Sequence, residues 1–168
     1  SEEPHAGGKH YDLLVMMTLI NDENMETTRK VLSYIKQNYQ NVLVRMRPRS
    51  RKNDEKLLGE VLQGMTLNEI GSTIMDDLTS CDKVVSFSED ANVEVVKVNK
   101  PFIYVWTEGE RDLNSMGNCG TAENFKEEIS KLMEQDFYST FSKEQYKEIL
   151  GETDVNILRD KFVNYIKS

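Results

Sequence analysis

Ser86, Ser88, Glu89, Asp90 and Glu94 fall within nine residues, just after the apolar run Val84-Val85 and Phe87. An apolar run of this kind, bounded by polar residues, reads as a buried strand. The crowd of hydroxyls and carboxylates therefore sits at a strand's end. Ser88 or Asp90 can cap a helix that follows, Ala91 to Val98. Glu94 lies one to two turns along that helix. A hydroxyl beside phosphates, with a carboxylate placed to accept from ribose hydroxyls, would make a nucleotide site. The same residues are also satisfied as a plain cap and a solvated helix position.

A second group of reactive side chains is the basic cluster Arg45, Arg47, Arg49, Arg51 and Lys52, broken by Pro48. The chain is acidic, with a net charge of -8, so this concentration of cations stands out. The planar guanidinium fork matches phosphate oxygens. Alternatively, the cluster is a solvated loop paired with Asp54 and Glu55, or a contact for an acidic partner. The net charge argues against a broad nucleic-acid surface. His5 and His10 are the chain's two histidines, and both fall near its start, which excludes a triad-type catalytic histidine within the fold. Cys81 and Cys119 lack metal spacing and are too few for a disulfide framework, which points to a reducing cytoplasm. No Asp-x-Asp follows a strand, so neither a metal nor a cofactor is indicated.

These groups need elements to position them. Pro101 disfavours helical geometry in the residue before it, so Asn99-Lys100-Pro101 is expected to stop the helix, and Phe102 to Trp106 reads as a second strand. Strand, helix and strand in so short a span make a tight βαβ unit with parallel strands and a right-handed crossover. Open α/β sheets bind ligands at the carboxyl ends of their strands.

Upstream, Tyr11 to Ile20 reads as a first buried strand. Met25 to Tyr39 is an amphipathic helix by the spacing of Val31, Leu32, Ile35 and Tyr39. Asn41 to Arg47 is a second strand, Asp54 to Gln63 a helix closed by Gly64, and Met65 to Ile70 a short third strand. Ser72 or Thr73 caps a short helix carrying Ile74, Met75, Leu78 and Cys81. Thr107 to Gly120 reads as a long loop. Helices are expected at Ala122 to Gln135, around Tyr146 to Leu150 and at Val155 to Ile166.

The 168 residues suit one domain with a full core. The expectation is an α/β, Rossmann-like three-layer sandwich with about five parallel strands and a helical carboxyl-terminal tail. Residues 1–10 read as a mobile leader and 11–168 as the single domain. The start of the chain has no signal-peptide pattern, and no apolar run approaches the ~20 residues of a membrane-spanning helix.

The ordered motifs VRMRPRS, GSTIMDDLTSCDKVVSFSE, Glu94 and Asn99-Lys100-Pro101 give the chain a family likeness. It resembles the carboxyl-terminal, donor-binding domain of GT-B-fold glycosyltransferases, above all bacterial surface-polysaccharide transferases and the related UDP-sugar 2-epimerases. The resemblance implies a nucleotide-sugar donor as substrate. It implies that Arg45, Arg47, Arg49, Ser86, Ser88 and Glu89 surround the donor phosphates, with neighbouring backbone N–H groups, and that Glu94 binds the ribose.

The chain departs from the pattern in two places. Arg47 stands where the family has the His of His-Pro, and Glu89 stands where a second Ser or Gly is usual, followed by Asp90. A GT-B enzyme builds its active site between two such domains. The resemblance therefore also implies a missing amino-terminal acceptor domain or a partner subunit, a catalytic base that does not lie on this chain, and a parent protein in the cytoplasm, compatible with peripheral membrane association. Outside that resemblance, the same elements suit a non-catalytic Rossmann- or flavodoxin-like interaction module, a polyol-phosphate transferase or a sugar epimerase domain.

Overall fold

In a computed structural model, the described residues are 9–107 and 119–134. The helices expected within 135–168, the leader up to residue 8 and most of the Thr107 to Gly120 loop lie outside them. Six strands form one sheet: β1 (Tyr11–Met16), β2 (Val42–Arg45), β3 (Thr66–Leu67), β4 (Cys81–Ser86), β5 (Phe102–Val105) and β6 (Cys119–Gly120). The helices are α1 (Met25–Asn38), α2 (Arg51–Leu57), α3 (Gly59–Leu62), α4 (Ile74–Thr79), α5 (Asn92–Lys97) and α6 (Phe125–Glu134). A 3-10 turn at Pro48–Ser50 precedes α2. The strand order is β3-β2-β1-β4-β5-β6, and all five pairings are parallel. This is the doubly wound order of a Rossmann sheet. The sixth strand, Cys119–Gly120, lies at the end of the stretch that reads as a loop. At two residues it is too short for an apolar period to reveal.

Each strand alternates between two cores. Leu13, Val15, Val44, Val85 and Ile103 meet Val31, Leu32 and Ile35 of α1 and Ile129 and Leu132 of α6 on one face. Leu14, Met16, Leu43, Val84 and Phe102 meet Leu78 of α4 and Val95 and Val96 of α5 on the other. Burial on both faces is why β1 and β4 read as continuous apolar runs rather than alternating ones.

Several boundaries differ from the sequence expectation. The strand expected over Tyr11 to Ile20 ends at Met16, because Met17 onward leaves the sheet to build a loop. The helix expected over Asp54 to Gln63 starts earlier, at Arg51, and breaks before Gly59. Cys81 opens β4 instead of closing α4. Thr73 caps α4 in a reciprocal capping box with Asp76, which uses two otherwise orphaned N–H groups at the helix start. The helix before Pro101 ends sooner than the proline requires: Asn99 takes φ 54°, a left-handed conformation that Asn tolerates better than most residues. Gly71 (φ +94°) turns the chain between β3 and α4, where a side chain would be strained.

His10 Nε2 donates to Asp82 Oδ1 at 2.8 Å, and the His10 carbonyl accepts from Asn41 Nδ2 at 3.0 Å. These bonds fix the entry to β1 at the amino edge of the sheet, away from the strand ends where ligands bind. Cys81 is fully buried, and its thiol donates to the Asp77 carbonyl at 2.8 Å. Burial pushes the thiol up to about 12, against smaller lowering effects from Ser80 and Lys100.

The unfolded thiol ionises near pH ~8.5. Stability from Cys81 is therefore fully present below that pH and falls as pH rises through it toward the folded value. In the native state at pH 8, iodoacetamide is expected to leave Cys81 unmodified, and in urea it is expected to label it, as read by peptide mass mapping. Equal labelling rates in the two states would refute a thiol sealed in the core.

Candidate functional site

The winding of the sheet reverses between β1 and β4, the central pair. Loops after neighbouring strands diverge at such a switch point and leave a crevice outside the carboxyl ends. A cavity of about 230 Å³ lies there. Thr18 from the loop after β1 and Phe87, Ser88, Glu89 and Asp90 after β4 line it, together with Tyr104, Val105, Trp106 and Thr107 at the end of β5. The sole Trp of the chain is thus part of its wall.

The turn from β4 to α5 is held by its own serines. Ser86, fully buried, donates from Oγ to the Ser88 carbonyl at 3.0 Å and accepts from the Ser88 N–H at 3.1 Å. Both capacities of the hydroxyl close the turn, so Ser86 shapes the loop from beneath. Ser88 Oγ accepts from the Ala91 N–H at 3.3 Å, the capping role open to it from the sequence, while Ser88 also faces the cavity. Glu89 is half-buried and Asp90 exposed. A carboxylate cannot attract a phosphate, so Glu89 could serve one only through its backbone N–H.

Glu94 sits in the first turn of α5 and pairs with Lys97 at 3.5 Å, each about one-third exposed at 33% and 35%. It lies near the crevice in sequence but does not line the cavity.

The basic cluster divides. Arg45 Nη1 donates to Asp77 Oδ2 at 2.7 Å, to Ser72 Oγ at 3.3 Å and to the Ser72 carbonyl at 3.1 Å. Its side chain is only 12% exposed, and that of Asp77 only 8%. This buried ion pair joins the end of β2 to α4. Arg51 donates to Glu55 at 2.6 Å and to Asn68 Oδ1 at 3.3 Å. Asn68 accepts from the Met46 N–H at 3.0 Å and donates to Ser72 Oγ at 3.0 Å. One network therefore ties the loops after β2 and β3. Arg47 is half-buried, with Nη1 at 3.5 Å from Ser50 Oγ, and Arg49 is exposed on the 3-10 turn. None of these arginines lines the cavity.

The register explains the separation. Arg45 and Ser86 both neighbour Met16 in the last row of the sheet. They stand on one face with a strand between them, about 10 Å apart at the strand spacing. The packing of α4 brings Asp77 to Arg45.

Thr18, Tyr104, Trp106 and Thr107 were not singled out from the sequence. Trp106 and Thr107 follow β5 directly, so the rule that carboxyl strand ends build the site could have found them. Thr18 gave no signal, because it sits inside a run that reads as strand. Among the described residues, no group of three or more His, Cys, Asp or Glu is placed to hold a metal ion, and no helix is long and apolar enough to cross a membrane.

No protein-family model matches the chain, and no curated protein matches it. Solved structures do. The Methanocaldococcus jannaschii UDP-GlcNAc 2-epimerase in complex with UDP-GlcNAc and UDP superposes with a TM-score of 0.55 at 16% identity, over 90% of this chain and 46% of that one. A glycosyltransferase from Rickettsia africae gives 0.53 at 14% identity, over 94% and 48%. The Neisseria meningitidis UDP-GlcNAc 2-epimerase bound to UDP-GlcNAc gives 0.52 at 16%, over 93% and 44%. The expected likeness to GT-B glycosyltransferases and UDP-sugar 2-epimerases is thus found at the level of the fold. The chain spans less than half the length of these proteins.

Proposed function

We propose that this chain is the donor-binding half of a glycosyltransferase or sugar epimerase, and that it holds a nucleotide-sugar in the crevice between the loops after β1 and β4. The observation that carries this reading is the cavity at the reversal of strand order, walled by Ser88 and the turn into α5, on a fold shared with proteins solved with UDP-GlcNAc. In this reading the turn around Ser88 meets the diphosphate through its backbone N–H groups, and Arg47 and Arg49 approach it from the loop after β2. Glu94 accepts from the ribose hydroxyls after exchanging its contact with Lys97.

The acceptor side and the catalytic base belong to a second domain or subunit, which fits a match that covers less than half of the epimerase and glycosyltransferase chains. A setting in bacterial surface-polysaccharide synthesis, in the cytoplasm, follows from the sequence resemblance.

A second reading, a non-catalytic interaction module, is favoured by a specific observation: Arg45 and Arg51 are used in internal ion pairs, while Glu89 faces the cavity. Calorimetric titration with UDP, CMP, CDP and GDP separates the two. Saturable binding of one nucleotide is expected, with a change in Trp106 emission. Glu94→Ala is expected to weaken binding roughly ten- to hundredfold, corresponding to about 1.5–3 kcal/mol for a hydrogen bond to a charged group. Absence of binding by every nucleotide at millimolar concentration would leave the interaction module as the better reading.

A further inference from the structure

The face of the sheet covered by α1, α3 and α6 carries two grooves that the nucleotide reading does not use. One, of about 920 Å³, runs between α1 and the α2–α3 pair, where Arg29, Lys36 and Lys56 line it against one carboxylate, Glu60. The other, of about 540 Å³, lies between α1 and α6, with Lys30 and Lys126 against Glu123. Ser33 and Gln37 line both, so the two adjoin across the outer face of α1. This excess of cations reverses the balance of the chain, whose net charge is -8.

Internal pairing does not account for the excess. Lys30 pairs with Glu26 at 3.6 Å, and Lys126 lies over the Tyr34 ring, 6.0 Å from its centroid. In the first groove, no carboxylate pairs with Arg29, Lys36 or Lys56 among the described residues. Arg29 Nη2 donates to the Leu57 carbonyl at 2.7 Å, which fixes the guanidinium at the groove and leaves it N–H donors to spare. All three cations are exposed. Leu57 and Val61, partly buried against the core, add an apolar wall. Arg29 and Lys36 stand two turns apart on α1, about 10 Å along its axis.

We propose that the groove between α1 and the α2–α3 pair docks an acidic peptide segment of a partner protein. Cations around a concave floor attract carboxylates, and Ser33 and Gln37 offer donors and acceptors to a peptide backbone. A bilayer fits less well. It is flat, and the exposed large apolar side chains among the described residues, Leu19, Ile70 and Met75, all lie elsewhere, so this face has none to insert. A nucleic acid fits less well because its dense phosphates would meet a chain of strongly negative net charge. The inference does not rest on the nucleotide crevice.

The test is fluorescence anisotropy of labelled oligo-glutamate titrated with the whole chain. Oligo-glutamine and oligo-thymidylate are measured in the same way, and phosphatidylserine vesicles by co-sedimentation. Oligo-glutamate is expected to bind saturably and oligo-glutamine not at all. Binding is expected to vanish in about 1 M salt, where the Debye length is ~3 Å. Lys36→Gln combined with Lys56→Gln keeps helix propensity and is expected to weaken binding about tenfold, at an unchanged urea midpoint. Lys9→Gln, on the α4 side of the sheet, is expected to leave it unaltered.

No saturation by oligo-glutamate at millimolar concentration overturns the proposal, and so does equal affinity in the two-lysine variant. Tighter binding of oligo-thymidylate or of the vesicles through the same lysines overturns it in favour of those partners. Self-association of the chain that the two-lysine variant abolishes overturns it in favour of a second copy.

Discussion

Asp77→Ala is expected to destabilise the chain by about 3–5 kcal/mol, read as a fall in the urea midpoint at unchanged slope. The reason is what the substitution leaves behind. Asp77 Oδ2 accepts from Arg45 Nη1 at 2.7 Å and from Ser72 Oγ at 3.2 Å. The Arg45 side chain is only 12% exposed. Without the carboxylate, a guanidinium that cannot shed its proton stays buried, with the Ser72 contacts as its remaining partners. An uncompensated buried charge is far more costly than the intact pair is stabilising.

The double variant Arg45→Met with Asp77→Leu removes both charges and is expected to recover most of the loss, because buried ion pairs are often replaceable by apolar side chains of similar size. If Asp77→Ala costs less than about 1 kcal/mol, as a surface pair would, the pair is not sealed from water as described. Should the single variant fail to fold, recovery in the double variant still decides the point.

Leu14→Ala should cost a comparable amount, about 2.7–5 kcal/mol on the scale of buried leucine truncations. Leu14 has 0% exposure on β1, the strand that pairs with both β2 and β4. Its side chain packs in one core with Leu78 of α4 and Val95 and Val96 of α5. These come from separate elements, so none can close the cavity without leaving its own contacts. Ile70→Ala is the matched control: Ile70 is 87% exposed, and its truncation should fall within about 0.5 kcal/mol of the unaltered chain. A Leu14→Ala cost near that of Ile70→Ala would mean that the core is loosely packed around β1.

The two predictions touch opposite ends of what could be read in advance. Leu14 was legible: it sits in YDLLVM, a run too continuous for a one-sided strand, and burial on both faces follows. The β4–α5–β5 unit was legible for a similar reason, since its elements are adjacent in sequence and each carries its own stop signal. Ser88 as the residue at the strand's end, with capping as one of its roles, followed from the same local chemistry.

Arg45 was different. In sequence it belongs with Arg47, Arg49 and Arg51, and like charges in one loop invite one role. In the fold they separate: Arg45 is the last residue of β2 and points under α4, Arg51 turns to Glu55 on its own helix, and Arg49 stays in solvent.

The sequence by itself determined the alternation of strands and helices, the parallel sheet and the acidic balance of the chain. Apolar periodicity, capping and turn chemistry are all set by residues within a few positions of one another. The tertiary structure decided which of the reactive side chains share a space. Strand order brought Thr18, Ser88, Glu89 and Trp106 to one cavity from three loops far apart in the chain. Sheet register and the seating of α4 gave Arg45 to Asp77, across thirty-two positions, and so removed its charge from the site. Long-range pairing of this kind depends on which partner the packed fold brings within reach, and a one-dimensional pattern of charges does not contain that information.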